Sequence, residues 1–156
     1  REALSRYDEA LGLYRDVGAR LGEANTLSGQ GNVCRALKQL DQAIAYHQQA
    51  LKVHQTIGAR ASEAFTLWAL GKDYDASEQY LVAIEFYRQS LEVYQQIGDR
   101  YSQAVLWRAI GDDRVQLDKI PEARIAYEAA SRFYLEIGME ENAQDCQKAL
   151  KELDAG

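Results

Sequence analysis

Apolar and small residues in this 156-residue chain fall at helical spacing. Ala83, Tyr87, Ser90, Leu91, Tyr94 and Ile97 stand at i, i+4, i+7, i+8, i+11 and i+14, which is one face of an α-helix. Residues 60–76 show the same behaviour through Ala64, Leu67, Gly71 and Tyr74.

The pattern itself recurs with a period of 40 residues. Val17-Gly18-Ala19-Arg20, Ile57-Gly58-Ala59-Arg60, Ile97-Gly98-Asp99-Arg100 and Ile137-Gly138-Met139-Glu140 stand in register. So do Ala24, Ala64 and Ala104, and likewise Gly31, Gly71 and Gly111. Ala3, Ala43, Ala83 and Ala123 align, as do Tyr7, His47, Tyr87 and Tyr127, and Tyr14, His54, Tyr94 and Tyr134. Each period predicts two antiparallel helices. Helix A is expected over 20–37, 60–77 and 100–117, and helix B over 1–17, 40–57, 80–97 and 120–137, with a last helix over 140–153. The glycine of each joint is expected to end its helix B in the left-handed conformation, with Arg60 capping carbonyls there or pairing with Glu63. Glu140 and Ala143 break the register and mark the last helix as a cap or irregular repeat. A lone helix pair cannot bury its apolar face, so the pairs are expected to stack into an all-α solenoid of about seven to eight helices. Residues 1–156 form one domain in this reading: 1–17 is helix B of a truncated repeat, and 20–57, 60–97 and 100–137 are full repeats.

Composition narrows the class. Hydrophobic residues make up 47% and charged residues 27%, as in ordinary globular domains, and one proline among many Ala, Leu, Gln and Glu favours helix. No apolar run is long enough to cross a bilayer. The chain opens on Arg1 rather than Met, as expected of a piece of something longer. Residues 1–60 carry eight Lys/Arg against six Asp/Glu, and residues 61–156 carry ten against eighteen. An acidic C-terminal part argues against nucleic-acid binding and favours a basic or mixed partner there. Cys34 and Cys146 are too far apart in a stack to pair, and they lack zinc spacing. This fits a reduced, cytoplasmic setting.

Candidate chemistry is sparse. His47 and His54 occupy slots that hold Tyr in sister repeats, so they read as packing rather than metal ligands. Gly29-Gln30-Gly31-Asn32 lacks the Lys-Ser/Thr and the strand of a phosphate loop. Asp73-Tyr74-Asp75 and Asp112-Asp113 have no calcium-loop frame and read as solvated helix faces. No catalytic group, cofactor or metal is expected.

The motif slots hold Trp107, Ile110-Gly111, Arg114, Ala123, Tyr127 and Ala130 in one repeat, and Leu67, Leu70-Gly71, Tyr74, Ala83, Tyr87 and Ser90 in the repeat before it. Leu27, Gln30-Gly31, Cys34, Ala43, His47 and Ala50 fill them in the first. This resembles the tetratricopeptide repeat family, specifically its 40-residue variety found in Pins-type scaffolds, kinesin light chains and bacterial regulators. The resemblance implies a right-handed superhelix whose A helices line a concave groove. Carried over, that face comprises Asn25, Ser28, Asn32 and Arg35; Phe65, Trp68, Lys72 and Asp75; and Val105, Arg108 and Asp112. Trp68 stands out because its counterparts are Ser28 and Arg108, so packing does not demand it. Asn32 suits a hold on a peptide backbone, but Lys72 and Asp112 interrupt any Asn ladder, and the carboxylate clamp of chaperone cofactors is not reproduced. A non-enzymatic scaffold that binds a partner's peptide or helical segment is the expectation. The alternative is an oligomerising or intramolecular regulatory segment, self-associating through its N-terminal end. No nucleic acid or membrane partner is expected.

Overall fold

The computed structural model describes residues 2–156, with side chains from Glu9 onward. The register positions Ala3 and Tyr7 therefore lie outside the described side chains. Seven helices and no strand form among the described residues: α1 Glu2–Ala36, α2 Leu40–Ile57, α3 Arg60–Ala76, α4 Tyr80–Ile97, α5 Arg100–Gln116, α6 Ile120–Glu136 and α7 Glu140–Ala155. α1 packs with α2, α3 with α4, and α5 with α6; each pair then lies on the next, and α7 closes the row against α6. This is an all-α solenoid of helix pairs.

The distance within each pair is set by a glycine and a ring. A Cβ added at Gly31 would stand 2.5 Å from His47, one at Gly71 would stand 2.4 Å from Tyr87, and one at Gly111 would stand 2.8 Å from Tyr127. No real side chain tolerates such contacts, so the rings occupy the space that a side chain would take. Ala24, Ala43, Ala64, Ala83, Ala104 and Ala123 are fully buried beside them. Larger residues fill the layers between pairs: Leu67, Leu91, Leu106 and Ile110 pack with Tyr87 and Tyr94. The last layer is built on Tyr134, Ala143 and Cys146. Ala143 is buried, whereas Gln144, in the register of the buried alanines, is exposed.

All six turns end their helices in one way. The residue after the turn donates from its backbone N–H to a carbonyl five positions back, as from Gln39 to Cys34 at 2.8 Å and from Met139 to Tyr134 at 2.8 Å. This is the Schellman geometry, which needs one residue at positive φ. Gly58, Gly98 and Gly138 supply it at 71°, 83° and 76° after α2, α4 and α6. After α1, α3 and α5 it falls on Lys38, Glu78 and Asp118 at 59°, 59° and 56°. Arg60 does pair with Glu63, at 3.0 Å, and it also reaches Gln96 on α4, the partner helix of the same pair.

One expected boundary is absent. Residues 1–17 and 20–37 do not form two helices, since α1 runs unbroken through Gly18. At the other joints the bend stacks one layer on the next, and that burial offsets the broken helix bonds. Residues 9–17 have no further layer upon them: Leu11, Leu13, Tyr14 and Val17 are 49%, 67%, 76% and 44% exposed. Without packing to reward a bend, continuing the i→i−4 bonds wins over the cost of about 1 kcal/mol for a mid-helix glycine.

The two kinds of joint glycine should respond oppositely to alanine. Gly18→Ala fills open space in a helix and should raise unfolding stability by about 0.5–1 kcal/mol. Gly98→Ala, at φ 83°, should lower it by about 1 kcal/mol. Urea denaturation measures both, and an equal loss at Gly18 would show that this joint bends as well.

Candidate functional site

Helices α1, α3 and α5 present equivalent faces along the stack, and the expected groove residues lie on them. Asn25, Phe65 and Asp112 are exposed; Asn32, Arg35, Trp68, Lys72, Asp75, Val105 and Arg108 are half-buried; Ser28 is buried. A hollow of about 500 Å³ between α1 and α3 gathers Asn25, Ser28, Asn32 and Phe65, with His54, Thr66, Tyr94 and Asp99 behind them. The buried Ser28 Oγ and His54 Nδ1 are without hydrogen-bond partners. Burial holds the His54 imidazole below its usual range against the opposing charge of Glu63. It is therefore a neutral ring carrying an unanswered polar atom.

Phe65 and Trp68, one helical turn apart on α3, meet edge to face with centroids 5.8 Å apart at 87°. Lys72, a further turn along, places its Nζ 4.1 Å from the Trp68 ring centre. Burial, then the neighbouring Arg35 charge, lowers the Lys72 pKa. Phe65 is 46% exposed although it is a large apolar residue. Trp68 rests partly against the core, but the core accounts for neither the exposed Phe65 ring nor the cation over Trp68. Arg108, on α5, faces Asp145 at 3.8 Å.

Several expected residues are engaged within the chain. Arg35 donates from Nη1 to Asp73 Oδ1 at 3.0 Å and to the Ala69 carbonyl at 3.2 Å, and from Nη2 to Asn32 Oδ1 at 3.1 Å. The buried His47 bridges Asp73, at 2.5 Å from Nδ1, and Asn32, at 3.2 Å from Nε2. Asn32 therefore spends its carbonyl oxygen on the seam between the first two repeats, and only its amide N–H groups remain for a ligand.

Of the acidic clusters only Asp112 stands on a solvated face. Asp73 is fully buried and Asp113 is 1% exposed, while Asp75 is half-buried. Helical spacing aims residues 73 and 113 at the preceding repeat, where a stack buries them. Tyr87 donates to Asp75 Oδ2 at 3.2 Å, and Tyr127 donates to Asp112 Oδ1 at 2.6 Å. Burial, then the facing Asp75 carboxylate, which favours the protonated, donating form of Asp113, pushes Asp113 up to about 8. Comparing equivalent positions between repeats was the available signal, because Val33, Asp73 and Asp113 form one such set and Arg35, Asp75 and Val115 another.

A solenoid of stacked antiparallel helix pairs defines a repeat-type domain. The tetratricopeptide repeat model matches residues 1–56, 22–96 and 62–136, and the chain belongs to that family. Its members are generally non-catalytic interaction scaffolds. No curated protein matches the sequence. Among solved structures, the chain is similar to BtubC (BKLC) from P. vanneervenii at 17% identity and TM-score 0.65, covering 99% of this chain and 76% of that one. It is similar to the Sgt2 TPR domain from Aspergillus fumigatus at 24% identity and TM-score 0.60, covering 86% and 83%. It is also similar to the apo form of RapI at 18% identity and TM-score 0.79, covering 98% of this chain but only 43% of RapI. At these identities the likeness is one of fold. No helix among the described residues is long and apolar enough to cross a membrane.

Asp113 makes a pH prediction. The folded chain keeps this proton to about pH 8, while an ordinary carboxyl loses it near 3.8. The folded state therefore binds more protons between those values, and stability falls as pH rises through them. Thermal melts of wild type and Asp113→Asn should converge near pH 4, and the wild type should become the less stable of the two toward pH 8.

Proposed function

We propose that the chain binds a peptide or helical segment of a partner protein along the face of α1, α3 and α5. The observation that carries this reading is the Phe65–Trp68–Lys72 cluster beside the 500 Å³ hollow. A large aromatic pair with a cation over it, partly exposed at the edge of the core, has the composition of a binding hot spot. The hollow contributes polar atoms without partners, Ser28 Oγ and His54 Nδ1, together with the Asn25 and Asn32 amides. These groups sit on packed helices, so a ligand would meet them already ordered and little receptor entropy would be lost. The apolar hollow suits side chains, and the rows of polar residues on α1 and α5 suit a peptide backbone. Trp68→Ala combined with Arg108→Ala should weaken retention of peptides from a random library about tenfold or more in a pull-down read by mass spectrometry. Undiminished retention would remove the groove assignment.

A second reading, self-association through α1, is favoured by one observation. Tyr14 is 76% exposed, whereas its register partners His54, Tyr94 and Tyr134 are 1%, 7% and 3% exposed. Those rings rest on the next A helix, which buries Glu63 and Thr66, Gln103 and Leu106, and Ala143 and Cys146. The matching Glu23 and Thr26 of α1 are exposed and repeat the Glu63–Thr66 pair. One straight α1 thus carries both an unseated ring and an empty seat that it cannot bring together. Two antiparallel copies crossing near Gly18 would seat both reciprocally. Light scattering across a concentration series should show a dimer that Tyr14→Glu abolishes, and a monomer throughout would end this reading.

A further inference from the structure

The repeat supplies its own template for a guanidinium site. At the first seam Arg35 crosses from α1 to α3 and donates to the Asp73 carboxylate and the Ala69 carbonyl. One period later the position of Asp73 is held by Asp113 and that of Ala69 by Ala109, so carboxylate and carbonyl recur in the same register. The cation does not recur, because Asp75 stands in the place of Arg35. Asp113 Oδ2 is left buried with no hydrogen-bond partner. None of Asp75, Asp112 and Asp113 is in an ion pair among the described residues.

We infer that this notch, where α3, α4 and α5 meet, receives the guanidinium of an arginine carried by the bound segment. The inference deepens the groove reading and rests on it. Asp75, half-buried, is the wall open to solvent, and Asp113 is the floor. Asp75 belongs to the same α3 face as Trp68 and Lys72, less than one helical turn beyond Lys72, so one ligand can reach both. An arginine is favoured over a lysine because its planar fork can span two carboxylates, and it sheds water at lower cost than an ammonium. The charges around the notch are those of Asp75 on α3, Glu78 in the following turn, and Asp112 and Asp113 on α5. The hydroxyls of Tyr80 and Tyr87 face it from α4, and Arg35 reaches it only at long range, through its effect on Tyr87. A buried carboxyl facing a half-buried one, without a cation, keeps a proton between them. An incoming guanidinium replaces that proton, so binding at neutral pH releases it to buffer.

Random dodecapeptides are selected on immobilised wild type and on Asp75→Asn/Asp113→Asn, whose fold is checked by circular dichroism. Wild type should enrich arginine, and the double variant should retain peptides without that preference. A selected peptide resynthesised with citrulline, the neutral isostere, should bind wild type about tenfold or more weakly. Its affinity for the double variant should not change. Calorimetry in two buffers of different ionisation enthalpy should show proton release with the arginine peptide and not with the citrulline one. Peptides retained without arginine enrichment, or equal affinity of the two peptides for wild type, would overturn the notch and leave the groove reading standing. No peptide retained on wild type would overturn both.

Discussion

The structure depends on one close approach, that of a glycine on each A helix to a ring on its own B helix. Gly31, Gly71 and Gly111 leave room for His47, Tyr87 and Tyr127, which a single methyl group would displace. Because three pairs share that contact, they share one interhelix distance, and the stack repeats without accumulating error. The buried alanines around the contact follow from it, since a larger side chain there would wedge the pair apart. Glycine is a poor helix residue, so its place in three A helices reflects this packing rather than local preference.

Most of this was legible in the sequence because it repeats. A 40-residue register over four joints gave the helices from α2 onward to within two residues, and the left-handed glycines 58, 98 and 138 with them. The left-handed residues Lys38, Glu78 and Asp118 were not legible, since nothing in their chemistry marks them and tertiary packing imposes the turn. The run of α1 through Gly18 was not legible either. Its local sequence matches the other joints, and the difference lies in what packs on residues 9–17. The candidate site was half legible. The expected face does lie along α1, α3 and α5 with Trp68 on it, but single-helix reasoning cannot see that residue 35 of one repeat meets residue 73 of the next. For that reason two buried aspartates read as solvated.

The seams between repeats differ while the pair geometry stays constant. The first is an Arg35–Asp73–His47–Asn32 network, charged and internally satisfied. The second brings carboxyls 75 and 113 together with no cation and keeps Asp113 protonated up to about 8. Breaking one partner of the first seam would strand a buried charge, whereas the second avoids one by keeping the proton on Asp113. Most acidic residues of 61–156 are exposed, but Asp73 and Asp113 are buried at seams, so a part of the acidic excess is structural in origin.

Ring identity explains how the seams vary without disturbing the pair. The face of the ring meets the glycine, and its tip reaches the A-helix position one residue beyond that glycine, or the position three further on. Where the nearer position offers an acceptor, the tip bonds it: His47 to Asn32 and Tyr127 to Asp112. Where it is Lys72, which has no acceptor, the Tyr87 hydroxyl bonds Asp75 instead and the lysine lies over Trp68. One substitution on the groove side therefore does three things: it redirects a buried hydroxyl, frees a cation for the aromatic cluster, and occupies the carboxylate opposite Asp113. The glycine–ring contact absorbs none of this change, since the face of the ring is the same whatever its tip does. A fold built on that contact can hold its architecture fixed while the chemistry of its seams and groove diverges from repeat to repeat.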